Sequence, residues 1–290
     1  MDDVRQYSDI LTKPVGGCAA FFLCCSGWRL SQTQLIWILS GMQGFNAPMT
    51  QSVQRFVKQV GKAINTHGLI KAGDRVLMGI SGGKDSLSMA YALASRRKWL
   101  PVQYDLQAVM VQWREHPIPD QELEQLDRFF AEIEVPFRRI PMTMRPPSFK
   151  GEFNCYLCAR NRKRVLFELA REEGWNKIAF GHHMDDIVET TLMNMVVQGR
   201  YATMKVDQEF FDGLLRVIRP LCSVRESMVA RAAGSLGLPV MGIDCPLKEV
   251  NLRKDIKRIV GELSEVHRYA RENIIRSLSN IDLEYLPAQS

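Results

Sequence analysis

Arg75-Val76-Leu77-Met78-Gly79-Ile80-Ser81-Gly82-Gly83-Lys84-Asp85-Ser86 begins as an apolar run and ends in a hydroxyl, two glycines, a cation and a carboxylate. That order reads as a buried parallel strand passing into a helix through a loop that holds an anion. Adjacent glycines let backbone N–H groups turn toward a ligand with no Cβ in the way. Asp85 or Ser86 is expected to cap the following helix, whose N-terminal end attracts phosphate. Lys84 adds a point charge.

The Walker pattern G-x-x-x-x-G-K-S/T does not fit, because Lys84 is followed by Asp85. Gly82-Gly83 alone would suit an ordinary strand-to-helix turn. The whole hexapeptide Ser81-Gly82-Gly83-Lys84-Asp85-Ser86, placed after a strand, resembles the S-G-G-x-D-S loop of the ATP pyrophosphatases, the PP-loop family. The resemblance implies that these six residues bind ATP and hold its pyrophosphate while AMP is transferred to a carbonyl oxygen.

At 290 residues the chain has room for one large α/β domain or two small ones. A formal charge of +6 suits a polyanionic partner without requiring one. Seven cysteines (18, 24, 25, 155, 158, 222 and 245) are an odd number beside a nucleotide loop, which argues against a secreted disulfide framework. A reducing cytoplasm with some thiols acting as ligands is expected.

Residues 1–48 differ from the rest. Their apolar runs, Gly16 to Trp28 and Leu35 to Leu39, fall short of the ~18 residues of a membrane span. Asp2, Asp3 and Asp9 spoil the basic start of a secretory signal. Residues 1–48 are therefore read as an extension, poorly ordered or not natively translated, with the natural start near Met49. Removing them takes three basic and three acidic residues, so the charge stays +6.

Beyond Met49, Val53, Phe56, Val57, Val60 and Ile64 recur at helical spacing, predicting an N-terminal helix within 49–74. A PP-loop α/β domain is expected over 75–246. Helices are predicted from Leu87 to Arg97, from Asp120, from Ala159 to Glu173, from Asp185 to Val197 and from Arg225 to Leu236. Strands are predicted at Leu106 to Val111, within Pro136 to Pro141, at Lys177 to His182, at Leu214 to Ile218 and at Val240 to Ile243. Met142 to Asn154 reads as a loop and Gly199 to Gly213 as a hairpin or loop. A long basic helix is expected from Glu249 to about Ser279 in a C-terminal region 247–290, with Arg253, Lys257 and Arg271 among its cations. Alternating strands and helices predict a parallel sheet covered on both faces, with ligands at the carboxyl ends of its strands.

Cys155 and Cys158 stand in C-x-x-C spacing, before Arg160, Arg162, Lys163 and Arg164. The pair suits a redox dithiol, half a zinc site or two iron–sulfur ligands. Cys245, followed by Pro246, is the natural third thiolate, whereas Cys222 has core-like neighbours. Three thiolates without a fourth favour a cluster with one open iron over closed zinc. In Gly181-His182-His183-Met184-Asp185-Asp186, carboxylates and imidazoles at a strand end suit Mg²⁺ (Asp185, Asp186) and ATP (His182). A plainer reading makes Asp185 a helix cap and His182 a filler of the strand end.

Taken in order, these pieces are similar to the tRNA 2-thiocytidine synthetases of the PP-loop superfamily, from about Met49 to Pro287. The hexapeptide marks the superfamily; Cys155-x-x-Cys158, Gly181 to Asp186 and Ile218-Arg219-Pro220-Leu221 narrow it. Asn251-Leu252-Arg253 and Glu272-Asn273-Ile274 also match. The resemblance implies a Rossmann-like, adenine-nucleotide-alpha-hydrolase fold and conversion of cytidine 32 of tRNA to 2-thiocytidine. It implies ATP, Mg²⁺ and a 4Fe–4S cluster on Cys155, Cys158 and Cys245. Sulfur from a cysteine desulfurase and a homodimeric state are implied as well. Lys84, Asp185 and Arg162 would carry catalysis, and Arg162, Lys163 or Arg164 would meet phosphate or tRNA.

Two positions depart from the family pattern: Lys248, where a further cysteine is frequent, and Met204-Lys205-Val206, where a Pro-Pro stretch is frequent. The second bears on which nucleotide is modified. Rival readings are a uridine thiolase, an amidating or lysine-attaching synthetase, and a non-catalytic cluster-carrying or RNA-binding protein.

Overall fold

A computed structural model describes residues 49–99, 102–143, 151, 153–242 and 252–285. The proposed extension 1–48, the Met142 to Asn154 loop beyond Thr143 except residues 151, 153 and 154, and the third thiolate at Cys245 lie outside the described residues.

Helix α1 spans Gln51–Thr66, and its Thr50 cap accepts a hydrogen bond from the Val53 N–H. Val53, Phe56, Val60 and Ile64, at three- and four-residue spacing, form its buried stripe. Strand β1 (Arg75–Ile80) runs into α2 (Lys84–Trp99), followed by β2 (Asp105–Trp113), α3 (Asp120–Glu132) and β3 (Phe137–Met142). Helix α4 (Cys155–Glu173) leads to β4 (Lys177–Ala179) and α5 (Met184–Gln198). A hairpin, β5 (Asp207–Phe210) and β6 (Leu215–Ile218), precedes α6 (Glu226–Leu236), α7 (Leu252–Val266) and α8 (Ala270–Ser277). Among the described residues no helix is long and apolar enough to cross a membrane.

The six strands lie in the order β3-β2-β1-β4-β6-β5, parallel except for β5, which pairs antiparallel with β6. Period-two alternation distributes the core. Val76, Met78, Ile80, Ala108 and Met110 meet α1, α2, α3 and α6, whereas Leu77, Val109, Val111, Ile178 and Val217 face α4. The chain steps outward from β1 to β3 and then resumes on the other side of β1 with β4. The crevice between β1 and β4 is therefore the topological switch point, where ligands of such sheets bind.

Three expectations need correction. The strand from Lys177 ends at Ala179; Phe180 still donates to the Ile218 carbonyl at 3.1 Å, but Gly181 to His183 turn across the strand ends. Val240 to Gly242 form no strand, because the Met241 N–H is spent on the Gly82 carbonyl at 3.0 Å. The long basic helix is two helices, α7 and α8, separated at His267 to Tyr269. No Pro or Gly marks that break; the Arg268 carbonyl accepts from the Arg225 guanidinium at 3.0 Å instead of from a helical N–H.

A Cβ built on Gly181 would stand 2.9 Å from both the Asp85 carbonyl carbon and the Ser86 nitrogen, backbone atoms that have no room to yield. Gly181→Ala is expected to cost about 1–3 kcal/mol of stability by overpacking, read as a lower urea midpoint. An unchanged midpoint would show that the two segments separate freely.

Candidate active site

The loop at the end of β1 is closed by its own side chains. Gly82 sits at φ +80°, a conformation that favours glycine, and a Cβ there would also meet Met241 Sδ at 2.4 Å. The Ser86 hydroxyl accepts from the Ser81 N–H at 3.2 Å and donates to the Gly83 carbonyl at 3.0 Å. The expected cap therefore falls earlier: α2 begins at Lys84, and Ser86 ties the loop to the helix. As at any helix start, the first-turn N–H groups lack intrahelical acceptors and face the crevice end of the sheet.

Lys84 Nζ reaches Asp85 at 3.2 Å and Glu226 at 3.1 Å. Partial burial opposes its charge, but the attraction of Asp85 and the hydrogen bond to Glu226 outweigh burial and raise its pKa. Glu226 also meets Lys257 at 2.6 Å. Burial alone would raise the Glu226 pKa, yet hydrogen bonds from Lys257 and Lys84 bring it down to about 2.

Across the crevice, His183 is the N-cap of α5. Its Nδ1 accepts from the Asp186 N–H at 3.3 Å, and Asp186 Oδ2 accepts from the His183 N–H at 2.9 Å, a reciprocal capping box. The cap role considered for Asp185 thus belongs to His183. Asp185 instead accepts from the Glu226 N–H at 2.7 Å and from Arg271 Nε at 2.6 Å. Asp186 is paired with Arg253, which also donates to Glu189 at 2.8 Å. Both oxygens of Asp185 and of Asp186 therefore already accept protein hydrogen bonds. Among the described residues no group of three or more His, Cys, Asp or Glu side chains is placed to hold a metal ion. In this arrangement a Mg²⁺ ion would have to share Asp185 with Arg271 and Asp186 with Arg253.

His182 lies beside the Phe180 ring, with centroids 5.9 Å apart, and its buried Nδ1 has no hydrogen-bond partner. Burial first, and then the charge of Arg219, lower its pKa to about 4, so the imidazole is neutral at pH 7. Arg162 stacks over Trp113 at the end of β2, 5.1 Å from the ring centroid, and its buried Nε also lacks a partner. Arg219, buried just after β6, bonds the Lys205 carbonyl while its Nε is unsatisfied. Buried polar atoms are normally paired, so three unpaired nitrogens at these strand ends mark where polar ligand atoms fit.

Cys155 and Cys158 occupy the first turn of α4, the former exposed and the latter half-buried. Because β3-α4-β4 is a parallel crossover, that turn lies on the same rim of the sheet as the PP-loop. Three participants have no site role legible in the sequence: Glu226 and Arg271 reach the crevice only through tertiary packing, and Arg219 stands there only as part of a motif.

Residues 49–239 match the family model described as the PP-loop domain, the class that the fold and the loop at the switch point define. Over 243 residues the chain is 35% identical to the tRNA-cytidine(32) 2-sulfurtransferase of Syntrophotalea carbinolica, covering 80% of this chain and 91% of that one. A protein of the same name from Anaeromyxobacter sp. (strain K) is 33% identical over 233 residues, 79% of each chain. The chain belongs to the tRNA-cytidine(32) 2-sulfurtransferase family of PP-loop proteins. Among solved structures, the U34-tRNA thiolase NcsA from Methanococcus maripaludis with its 4Fe–4S cluster aligns with a TM-score of 0.64 over 82% of each chain. At 23% identity that likeness is one of fold.

Glu226 generates a pH dependence. Its folded pKa of about 2 lies below the ordinary 4.5, so its stabilisation is complete above about pH 5 and is lost as pH falls toward 2. Because the ion pairs of Glu226 are partly solvent-screened, Glu226→Gln is expected to lower stability at pH 7 by only about 1 kcal/mol and to converge on the wild type near pH 2–3. A pH-independent gap in melting temperature would refute this. For His182, NMR titration should show a neutral imidazole down to about pH 5 and a midpoint near 4; a midpoint near 6.5 would mean the ring is solvated.

Proposed function

We propose that this protein is an ATP-dependent tRNA sulfurtransferase that adenylates the C2 oxygen of cytidine 32 and replaces it with sulfur. The observation that carries the reading is the thiol pair at the start of α4, set on the same sheet rim as the ATP loop. Cys155 and Cys158, at i and i+3 on a first helical turn, share one face. Their exposure and the positive end of the helix suit an anionic thiolate-bound group.

The carbonyl oxygen of cytosine C2 is a poor leaving group. Attack of that oxygen on the ATP α-phosphorus forms a new P–O bond and expels pyrophosphate. Sulfide then forms the C–S bond at C2, and AMP departs with the original oxygen. Backbone N–H groups of the Ser81 to Ser86 loop, with Lys84, meet the charge developing on pyrophosphate. Lys84 exchanges Glu226 for phosphate as ATP enters. Neutral His182 offers Nδ1 to the nucleotide, and Arg162, held over the Trp113 ring, meets the transferred phosphate. Asp185 acts as a positioning residue, fixing Arg271 and the start of α6. Cys155, Cys158 and Cys245 would hold a 4Fe–4S cluster, which would supply the iron chemistry that delivers the sulfur. No step is assigned to Mg²⁺ at Asp185 or Asp186. The target base leaves its stack to reach the crevice, which is least costly in a single-stranded loop. The same reading places the protein in the cytoplasm, as a homodimer supplied with sulfur by a cysteine desulfurase.

The test is anaerobic purification with iron, sulfide and zinc counts, followed by incubation with tRNA, ATP and a sulfide source and mass spectrometry of the nucleosides. About four irons per chain and ATP-dependent 2-thiocytidine are expected, with both lost in Cys155→Ala. Lys84→Ala should retain the iron but lose at least about a hundredfold in rate, as when one charge-stabilising donor is removed. Zinc without sulfide would overturn the cluster, and thiolated uridine in place of cytidine would overturn the choice of base.

A further inference from the structure

Where α4 passes the β5–β6 hairpin, the sheet face is left open as a pocket of about 600 Å³, within the range of small-ligand sites, about 300–1,000 Å³. Phe167 of α4 and Phe210 of β5 stand 5.0 Å apart between ring centroids, and Phe211 meets Phe167 edge-on at 6.2 Å. Around these rings the lining is cationic. Arg160, Lys163, Arg164, Arg171 and Arg219 face one carboxylate, Glu168, which already pairs with Arg164. Lys163 and Arg219 are close enough that Arg219, added to partial burial, depresses the lysine pKa. Among the described lining residues, positive charge is in excess.

Phe211 supplies an independent sign. The hairpin turns through Asp212 and Gly213, both at positive φ, the pair such a turn prefers. Phe211 precedes that pair, adopts φ +53° and leaves its side chain 58% exposed. Asn or Gly would sit there with less strain, and an exposed ring buries too little to compensate. An aromatic ring held at a strained position beside unpaired cations fits a base to stack on and a phosphate to neutralise.

We infer that this pocket binds one unpaired nucleotide of the RNA substrate, its base against Phe167, Phe210 and Phe211 and its phosphate on Lys163 and Arg219. The inference rests on the tRNA reading above and adds a second RNA contact beside the crevice between β1 and β4, with Arg219 on the border of the two.

The experiment measures binding of the intact, cluster-loaded protein to unmodified tRNA by fluorescence anisotropy at several salt concentrations, with ATP binding followed in parallel. Phe211→Asn should keep or raise the melting temperature and leave ATP binding unchanged, yet weaken tRNA binding about tenfold, the size of one lost base–aromatic stack. Phe211→Trp should bind like the wild type. Lys163→Gln should reduce the slope of log affinity against log salt by about one. Equal tRNA affinity in wild type and Phe211→Asn would overturn the pocket and leave the tRNA reading standing. Wild-type protein that binds ATP but no tRNA would overturn both. Conversion of a dimer to a monomer by Phe211→Asn, with tRNA affinity unchanged, would assign the face to contact between copies and overturn the inference.

Discussion

The chain between β4 and α5 can lie against the first turn of α2 only because Gly181 has no side chain: a Cβ would stand 2.9 Å from backbone atoms of Asp85 and Ser86. That contact brings the two crevice walls together. It sets His182 and the α5 N-terminus opposite the PP-loop, so two helix starts point into one crevice. The sheet supplies the reason for the meeting place, since the strand order reverses between β1 and β4. Gly79 serves the same geometry from behind, where a Cβ would press on the Phe180 ring at 2.8 Å.

Around that crevice the charges form a closed network. Lys84 is held by Asp85 and Glu226, and Glu226 by Lys257. Asp185 and Asp186 are held by Arg271 and Arg253. Partly buried ions cost desolvation that partners must offset, which is why α7 and α8 turn their cations inward. The break at His267 to Tyr269 makes this possible. One continuous helix would carry Arg271 along the α7 axis and away from Asp185.

Much of this was legible in the sequence because it is written locally. The apolar run from Arg75 to Ile80, the hexapeptide and the stripe of α1 each declare themselves within a dozen residues. The Asp212-Gly213 turn is equally plain in the sequence, although 199–213 reads there only as a hairpin or loop. The reading failed where long-range contacts decide. Val240 to Ile243 has strand composition, yet the Met241 N–H goes to the PP-loop carbonyl at Gly82. The run after Glu249 has helical periodicity throughout, and its interruption depends on Arg225, far away in sequence. Asp185 and Asp186 have the chemistry of metal ligands, but their partners arrive from a region legible in the sequence only as a basic helix.

This pairing changes what the charge of +6 means. Arg253, Lys257 and Arg271 are spent on Asp186, Glu189, Glu226 and Asp185, so these three cations of the C-terminal helices serve the crevice first. Without those cations, four carboxylates beside the PP-loop would repel the triphosphate that the loop is shaped to hold. The C-terminal helices therefore belong to the nucleotide site electrostatically, although they lie beyond the residues matched by the PP-loop model. Among the described residues, a second group of cations, facing a single carboxylate, lies around α4 and the β5–β6 hairpin. Arg219 lies between the two groups, lining that pocket while its charge depresses the His182 pKa, so the proposed RNA pocket and the nucleotide crevice meet at one cation.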